Sequence, residues 1–368
     1  MTAAGSAAGA PAAALQTGGM NPFWEVTNLF SQPNKQGIVA SWQLGAGTSP
    51  GGGNWNPGNF LRGGRLLVRT VTAGTGGTAT SDYPFNIFQN LGLQAVDGSE
   101  ILYNVISGYG YAQAHRFFRP WLQDPMLAYD YDASVTSPSF TTMLMPEVRQ
   151  QLGVLENTDT RSQFSWTQTI NTYAAVVTGG TTAPTISVTP YVDMWAQPDA
   201  EDLEKTPNQQ IPDGTNLQTK LRHQTFTLNG AGSDNNLLST LTGNAVRGML
   251  LIIRDSNGAR QDYAGNPIQW QLDQRNLGTL APDIVFQWAE DFYRGYGGVT
   301  RPTGVYPFPR FYAPGNLYGQ GWLYTANSTA LSWDFTTPSS ASNLPGTVEL
   351  LQEEVYATGP VDPQLIDL

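Results

Sequence analysis

Few residues in this 368-residue chain combine the types and spacing that chemistry demands. Gly47-Thr48-Ser49-Pro50-Gly51 fits the Gly-x-Ser-x-Gly pattern of a hydrolase nucleophile, but such a serine works from a sharp turn between a strand and a helix. Here it falls in a Gly-rich stretch, Gly45 to Gly64, with proline directly after it, and the stretch reads as a loop carrying Trp55 and Phe60. His115 and His223 are the chain's two imidazoles, and each lies in a segment patterned as ordinary structure, so neither is placed as a general base. With no cysteine and two histidines in different halves, no transition-metal ligand set has a recognisable spacing. Asp255-Ser256-Asn257-Gly258 opens like a calcium loop but lacks the fifth-position ligand and the closing Glu, and Asn-Gly between strands is a hairpin signal. No catalytic, cofactor-binding or metal-binding residue is therefore expected.

Carboxylates offer the one remaining route to catalysis. An acidic, aromatic-rich β protein can hydrolyse glycosides with two acids across a cleft. Asp130 and Asp132 in Tyr129-Asp130-Tyr131-Asp132, or Glu290 and Asp291, are the candidates, and solvated loop carboxylates are the plainer reading of all four. A carbohydrate-binding or carbohydrate-active β-sandwich thus stands as the alternative function, and a spike-like structural module as a third. Neither heptads nor short-period repeats support the third. Asn327-Ser328-Thr329 is a glycosylation sequon, which matters only in a secretory pathway that nothing else here suggests.

The elements that would have to position such groups are mostly strands. Forty Gly, 25 Pro and only 13% charged residues describe many short strands joined by turns. The length suits two domains of about 150 residues with tails and a linker. Alternation is strict where Ile186, Val188, Val192 and Met194 oppose Thr185, Ser187, Thr189, Tyr191 and Asp193. The same period of two runs through Phe164, Trp166 and Ile170, through Ile268, Trp270 and Leu272, and through Leu331, Trp333 and Phe335. One-sided strands of this kind build antiparallel sandwiches.

The pattern occurs twice, offset by about 180 residues. In the first half a strand at Arg65 to Val71, a turn at Val96-Asp97-Gly98 and a helix from Val105 to Phe118 follow one another. In the second, a strand at Val246 to Ile253, a turn at Ser256-Asn257-Gly258 and a helix from Pro282 do the same. That second helix repeats Ile284, Trp288, Phe292 and Tyr296 at four-residue spacing. In the first, Gly108 and Gly110 each weaken the helix by about 1 kcal/mol relative to Ala. The expected organisation is an N-terminal arm (1–36), a first sandwich (37–195), an acidic Pro-rich linker (196–216), a second sandwich (217–357) and a tail (358–368).

A net charge of −11 argues against wrapping a polyanion, since nucleic-acid binding rests on Lys and Arg neutralising phosphates. The first twenty residues have no basic region and only Leu15 as a large aliphatic residue, so they read as a mobile arm and not as a secretory signal. No apolar run approaches the ~20 residues of a membrane span, and a soluble chain is expected.

The tandem layout carries local echoes in Pro84-Phe85-Asn86-Ile87-Phe88-Gln89-Asn90, the Val96-Asp97-Gly98 turn and the helix through Ser107-Gly108-Tyr109. Further echoes lie in the helix ending near Arg294, in Thr303-Gly304-Val305-Tyr306 and in the strands running to Tyr356. In these the chain resembles, over most of residues 37 to 357, the double jelly-roll major capsid proteins of tailless, membrane-containing icosahedral phages, the tectivirus type. The resemblance implies an all-β fold of two tandem antiparallel jelly rolls, each with a short helix insert. It further implies a homotrimer whose six jelly rolls form a pseudo-hexagonal capsomer. Its contacts would be with itself, with neighbouring capsomers, with penton and minor capsid proteins, and through its terminal arms with an inner membrane. The implied location is the virion capsid, assembled in the host cytoplasm. Aromatic residues in loops and arms are the expected intersubunit contacts: Phe23, Trp24, Phe30, Trp55, Phe60, Phe308, Phe311 and Tyr312.

Overall fold

The computed structural model describes residues 31–33, 38–41, 49–54, 59–96, 101–118, 125–145, 155–157, 163–196, 217–263, 267–280, 287, 301–308 and 322–357. The expected arm up to residue 30, linker residues 197–216, the tail, the Asp97-Gly98 turn and, Gln287 excepted, the helix from Pro282 lie outside these residues.

The first half contains β1 (Ser31–Pro33), β2 (Ile38–Ser41), β3 (Ser49–Asn54), β4 (Asn59–Thr72), β5 (Thr78–Ala79), β6 (Phe88–Ala95), β7 (Ile101–Ile106), α1 (Gly108–Phe118), β8 (Phe140–Met145), β9 (Leu155–Asn157), β10 (Phe164–Ile170), β11 (Val177–Thr178) and β12 (Thr185–Ala196). The second contains β13 (Leu217–Thr227), β14 (Asp234–Ser239), β15 (Ala245–Arg254), β16 (Ile268–Leu272), β17 (Arg275–Leu280), β18 (Val305–Pro307), β19 (Leu323–Tyr324), β20 (Leu331–Thr336) and β21 (Thr347–Ala357).

Among the described residues pairing is antiparallel and no sheet mixes strands of the two halves. The first half forms a larger sheet β1-β12-β4-β8, with β2 also on β12 and β9 also on β4, and a smaller sheet β3-β10-β6-β7. The second repeats this as β13-β21-β15-β18, with β19 on β15, and β14-β20-β16-β17. Matching strands in order of first appearance therefore occupy matching places. That order, two four-stranded layers closed face to face, is the jelly roll, occurring twice.

The alternation read from the sequence sets the layers. In β10, Phe164, Trp166, Gln168 and Ile170 are buried while Thr167 is exposed. In β12, Ile186, Val188 and Pro190 are buried and the residues between them are half-buried. Pro190 has no N–H to donate, and it falls between the stretch paired with β2, ending at Val188, and the stretch paired with β1, starting at Tyr191.

Two expectations are corrected. The Gly-rich stretch 45–64, expected as a loop, contains β3 and the start of β4: Ser49 to Asn54 pair with Ile170 to Ser165 of β10. A Cβ at Gly52 would collide with the Trp166 carbonyl, so the glycine is what lets the strands meet there. Weak β propensity is overridden by a partner strand with open backbone groups. The helix expected from Val105 starts at Gly108, because β7 continues to Ile106. Ser107 closes the helix end: its Oγ accepts the Gly110 N–H at 3.0 Å.

β15 departs from alternation, since every residue from Val246 to Ile253 is buried. Met249, Leu251 and Ile253 point into the second sandwich's own core. Leu250 and Ile252, with Leu351 of β21, join the apolar cluster of the first sandwich. The larger sheet of the second half is thus covered on both faces, and its second cover is the first half.

Candidate functional site: the seam between the sandwiches

The chain's concentrated polar chemistry lies where the halves meet. α1 sits between them, and small residues allow it to. A Cβ at Gly108 would overlap the Phe85 carbonyl and lie 2.7 Å from Phe88 Cβ; one at Gly110 would lie 2.7 Å from Glu349 Oε1; one at Gly248 would lie 2.6 Å from the Phe118 ring. The glycines that weaken α1 in isolation are the ones that let it approach a neighbour on each side.

Charges from both halves converge on the same helix end. Asp82 of the first half accepts Arg254 Nη1 through Oδ2 and Arg260 Nε at 2.7 Å through Oδ1. Arg260 also donates to the carbonyls of Ser81 and Thr303, each at 2.7 Å. Both guanidiniums lie over the Tyr109 ring, at 5.4 Å and 4.8 Å from its centroid. Burial pushes the Tyr109 hydroxyl well above its ordinary value, against the opposing pull of Arg260. Glu349 of β21 reaches across the seam to accept the Ser107 hydroxyl at 3.0 and 3.1 Å, placing a carboxylate at the positive end of α1. Burial raises the Glu349 carboxyl, opposed by Arg254 and Ser107. Deeper in the sheet Arg247, at a register shift in β15, donates to Glu353 from Nε and Nη2, each at 2.8 Å, with both side chains buried. Asp82 and Arg254 are 172 residues apart in sequence, a separation at which no local pattern announces a pair.

Two grooves are present among the described residues, and only the first borders the seam. One, of about 390 Å³, runs between β7 and β13 and is lined by Ile101, Tyr103, Asn104, Lys220, His223 and Leu241 among others; burial lowers the His223 pKa. The other, of about 450 Å³, lies on the outer face of the second small sheet beside Asn236, Gln271 and Asp273.

The residues singled out from sequence do not converge. Ser49 lies in a strand, and His115 is buried on α1. Asp130 pairs with Arg69 at 2.8 Å and accepts the Thr141 hydroxyl at 2.5 Å, while Asp132 accepts the Ser134 N–H at 2.8 Å. Both are thus held in local structure, and the carbohydrate reading finds no support. Asp255 closes the expected turn, its Oδ1 accepting the N–H groups of Asn257 and Ala259 at 2.9 and 2.8 Å, with Gly258 at φ +80°. Among the described residues no group of three or more His, Asp or Glu is placed to hold a metal, and no helix is long and apolar enough to cross a membrane.

Of the expected intersubunit aromatics, Phe308 is corrected. It is fully buried in the second core, its ring 6.5 Å from that of Trp333, and so is unavailable to another subunit. Phe23, Trp24, Phe30, Trp55, Phe311 and Tyr312, and the side chain of Phe60, lie outside the described residues.

No family model and no curated protein matches the sequence. Solved structures do match. The STIV major capsid protein aligns over 92% of this chain and 99% of its own, at 13% identity and a TM-score of 0.62. PBCV-1 VP54 aligns over 89% and 94%, at 12% identity and 0.55, and the major capsid protein P2 of bacteriophage PM2 over 88% and 97%, at 10% identity and 0.51. The fold is the double jelly roll of viral major capsid proteins.

Proposed function

We propose that this chain is the major capsid protein of an icosahedral virus, without enzymatic activity, and that it assembles as a homotrimer whose six jelly rolls make a pseudo-hexagonal capsomer. The observation that carries the reading is the repeated strand order fixed into one block by a largely buried, ion-paired seam. Two like units held at a set angle are one third of a near-sixfold ring, and three chains complete it. In this reading residues 1–30 and 358–368 are arms; the first sandwich begins at β1, whose Ser31–Pro33 pair with β12 where an arm to residue 36 was expected, and runs through Ala196, and 197–216 join it to the second sandwich, 217–357. The arms are the segments suited to neighbouring capsomers, to penton and minor capsid proteins, or to an internal membrane. The charge of −11 leaves direct genome binding to other components. The capsid of the virion is the destination, and the host cytoplasm the place of assembly. Light scattering on the purified chain, with negative-stain imaging, tests the proposal: a trimer and hexagonal particles are expected, and a monomer at every concentration overturns it.

A further inference from the structure

We propose that the groove between β7 and β13 binds a phosphate group, free or carried on a small organic ester, gripped by Asn104 of the first sandwich and by Lys220, Arg222 and His223 of the second. The inference goes beyond the assembly reading and does not depend on it.

The groove has the size and make-up of a small-molecule site. Its volume of about 390 Å³ lies within the roughly 300–1,000 Å³ usual for such sites, and apolar Ile101 and Leu241 stand beside the polar groups in its lining. Lys220 and Arg222 share one face of β13 and His223 takes the other, so the groove wraps around the strand and meets all three. Asn104 approaches from β7, in the other half of the chain.

The fold does not consume these donors. Arg222 spends Nε on Glu354 Oε2 at 3.2 Å, and among the described residues nothing takes its Nη groups, on a side chain that is 42% exposed. The side chains of Asn104 and His223 likewise make no hydrogen bond among the described residues. Glu354, the carboxylate opposite Lys220 on the neighbouring strand, is buried and already accepts Asn244 Nδ2 at 2.6 Å and Gln352 Nε2 at 2.9 Å. Burial lowers the His223 pKa, so at neutral pH its imidazole is uncharged and supplies an N–H.

A guanidinium fork, an ammonium, an imidazole N–H and an amide thus surround one space from opposite walls. A phosphate accepts from all these sides through its several oxygens, whereas a planar carboxylate is satisfied by the fork alone. Ile101 and Leu241 offer a surface to the carbon part of an ester. On a chain of net charge −11 this is a local site for one phosphate group and not a track for a polyanion. Because its donors come from both halves, an occupant ties them together, and binding raises stability by mass action.

The test titrates the full-length chain by calorimetry with inorganic phosphate and with glycerol 3-phosphate, at an ionic strength held constant with chloride, and floats it with phosphatidylglycerol or phosphatidylcholine vesicles. The soluble phosphates should bind and raise the thermal midpoint where chloride does not. Arg222→Gln should weaken binding by about tenfold and Asn104→Ala by about threefold, while Arg275→Gln, an exposed cation on β17 outside the groove, should leave it unchanged. Asn104→Ala removes a side chain that the fold does not use, so the test stands even where Arg222→Gln strands Glu354 and fails to fold. Binding of the soluble phosphates alone assigns a free source. Flotation with phosphatidylglycerol but not phosphatidylcholine, weakened by the same variants, assigns a lipid headgroup. Binding of none of these probes, binding untouched by both groove variants, or binding weakened equally by Arg275→Gln overturns the site.

Discussion

Replacing Gly108 by alanine sets helix propensity against packing, and the two predict opposite signs. Propensity alone makes Gly108→Ala stabilising by up to about 1 kcal/mol, less at a first-turn position. Packing argues the reverse, because the new Cβ overlaps the Phe85 carbonyl and lies 2.7 and 2.8 Å from Phe88 Cβ and O. Two of these obstacles are backbone oxygens and cannot rotate away, so α1 must retreat from the first sandwich. Overpacking of a rigid site costs about 1–3 kcal/mol. Taking the upper part of that range and subtracting the propensity gain leaves a net loss of about 1–2 kcal/mol, or a few degrees in Tm. Gly110→Ala is the internal control, since its Cβ meets the side-chain ends of Glu349, Ser107 and Leu351. Those atoms can shift, and the expected change is within about 0.5 kcal/mol. Urea and thermal unfolding followed by tryptophan fluorescence measure both. If Gly108→Ala matches or exceeds the wild type, or Gly110→Ala is the worse of the two, the account of α1 as a helix gripped from both sides is wrong.

Asp82→Ala removes the carboxylate shared by Arg254 and Arg260, whose side chains are 14% and 13% exposed. Stranding them should cost about 3 kcal/mol, the low end of the range for broken buried pairs, seen as a lower urea midpoint; a loss under about 0.5 kcal/mol would mean that water replaces the pair. Glu349 has its carboxyl raised by burial, against the pull of Arg254 and Ser107. The folded chain therefore holds that proton more tightly than the unfolded chain, and the group's contribution to stability, present at low pH, is lost as pH rises past the unfolded value of 4.5. Glu349→Gln keeps an oxygen for Ser107 and removes the charge, so it should be at least as stable as wild type at neutral pH, with the wild type closing the gap only in acid; urea midpoints across pH would refute this by showing the gap close as pH rises. Gln274 sits at φ +68° beside Asp273 at +49° in the β16–β17 turn. Gln274→Gly relieves a left-handed conformation that is costly for a side chain, and a gain of about 0.5–1 kcal/mol in thermal unfolding is expected.

Where one face of a strand met water, the sequence was legible. Phe164, Trp166 and Ile170, and Ile186 and Val188, all lie inward as their period demands. Asp255 to Gly258 was equally readable, because turn chemistry is local. What escaped depends on residues far away in the chain. β3 is a strand because β10 lies beside it, although Gly51, Gly52 and Gly53 have little intrinsic reason to extend. Phe308, between two prolines, reads as an exposed loop aromatic until Trp333 is seen against it. The unbroken run from Gly248 to Ile253 announces a strand buried on both faces, but nothing local says that the second cover is α1.

The two larger sheets show how far the halves have diverged around one architecture. Their strand orders are identical, yet the outer face of one is lined by Leu250, Ile252 and Leu351 and closed by the pairing of Arg254 with Asp82, while the other presents Arg65, Leu67 and Tyr191. If both faces were dry, a newly folded chain would expose a large apolar sheet and two first sandwiches could compete for either one. If both were polar, the halves would be hinged rather than set at a fixed angle. Making the intrachain face apolar lets the halves lock during folding, while the more polar outer face of the first sheet meets water without exposing a large apolar surface.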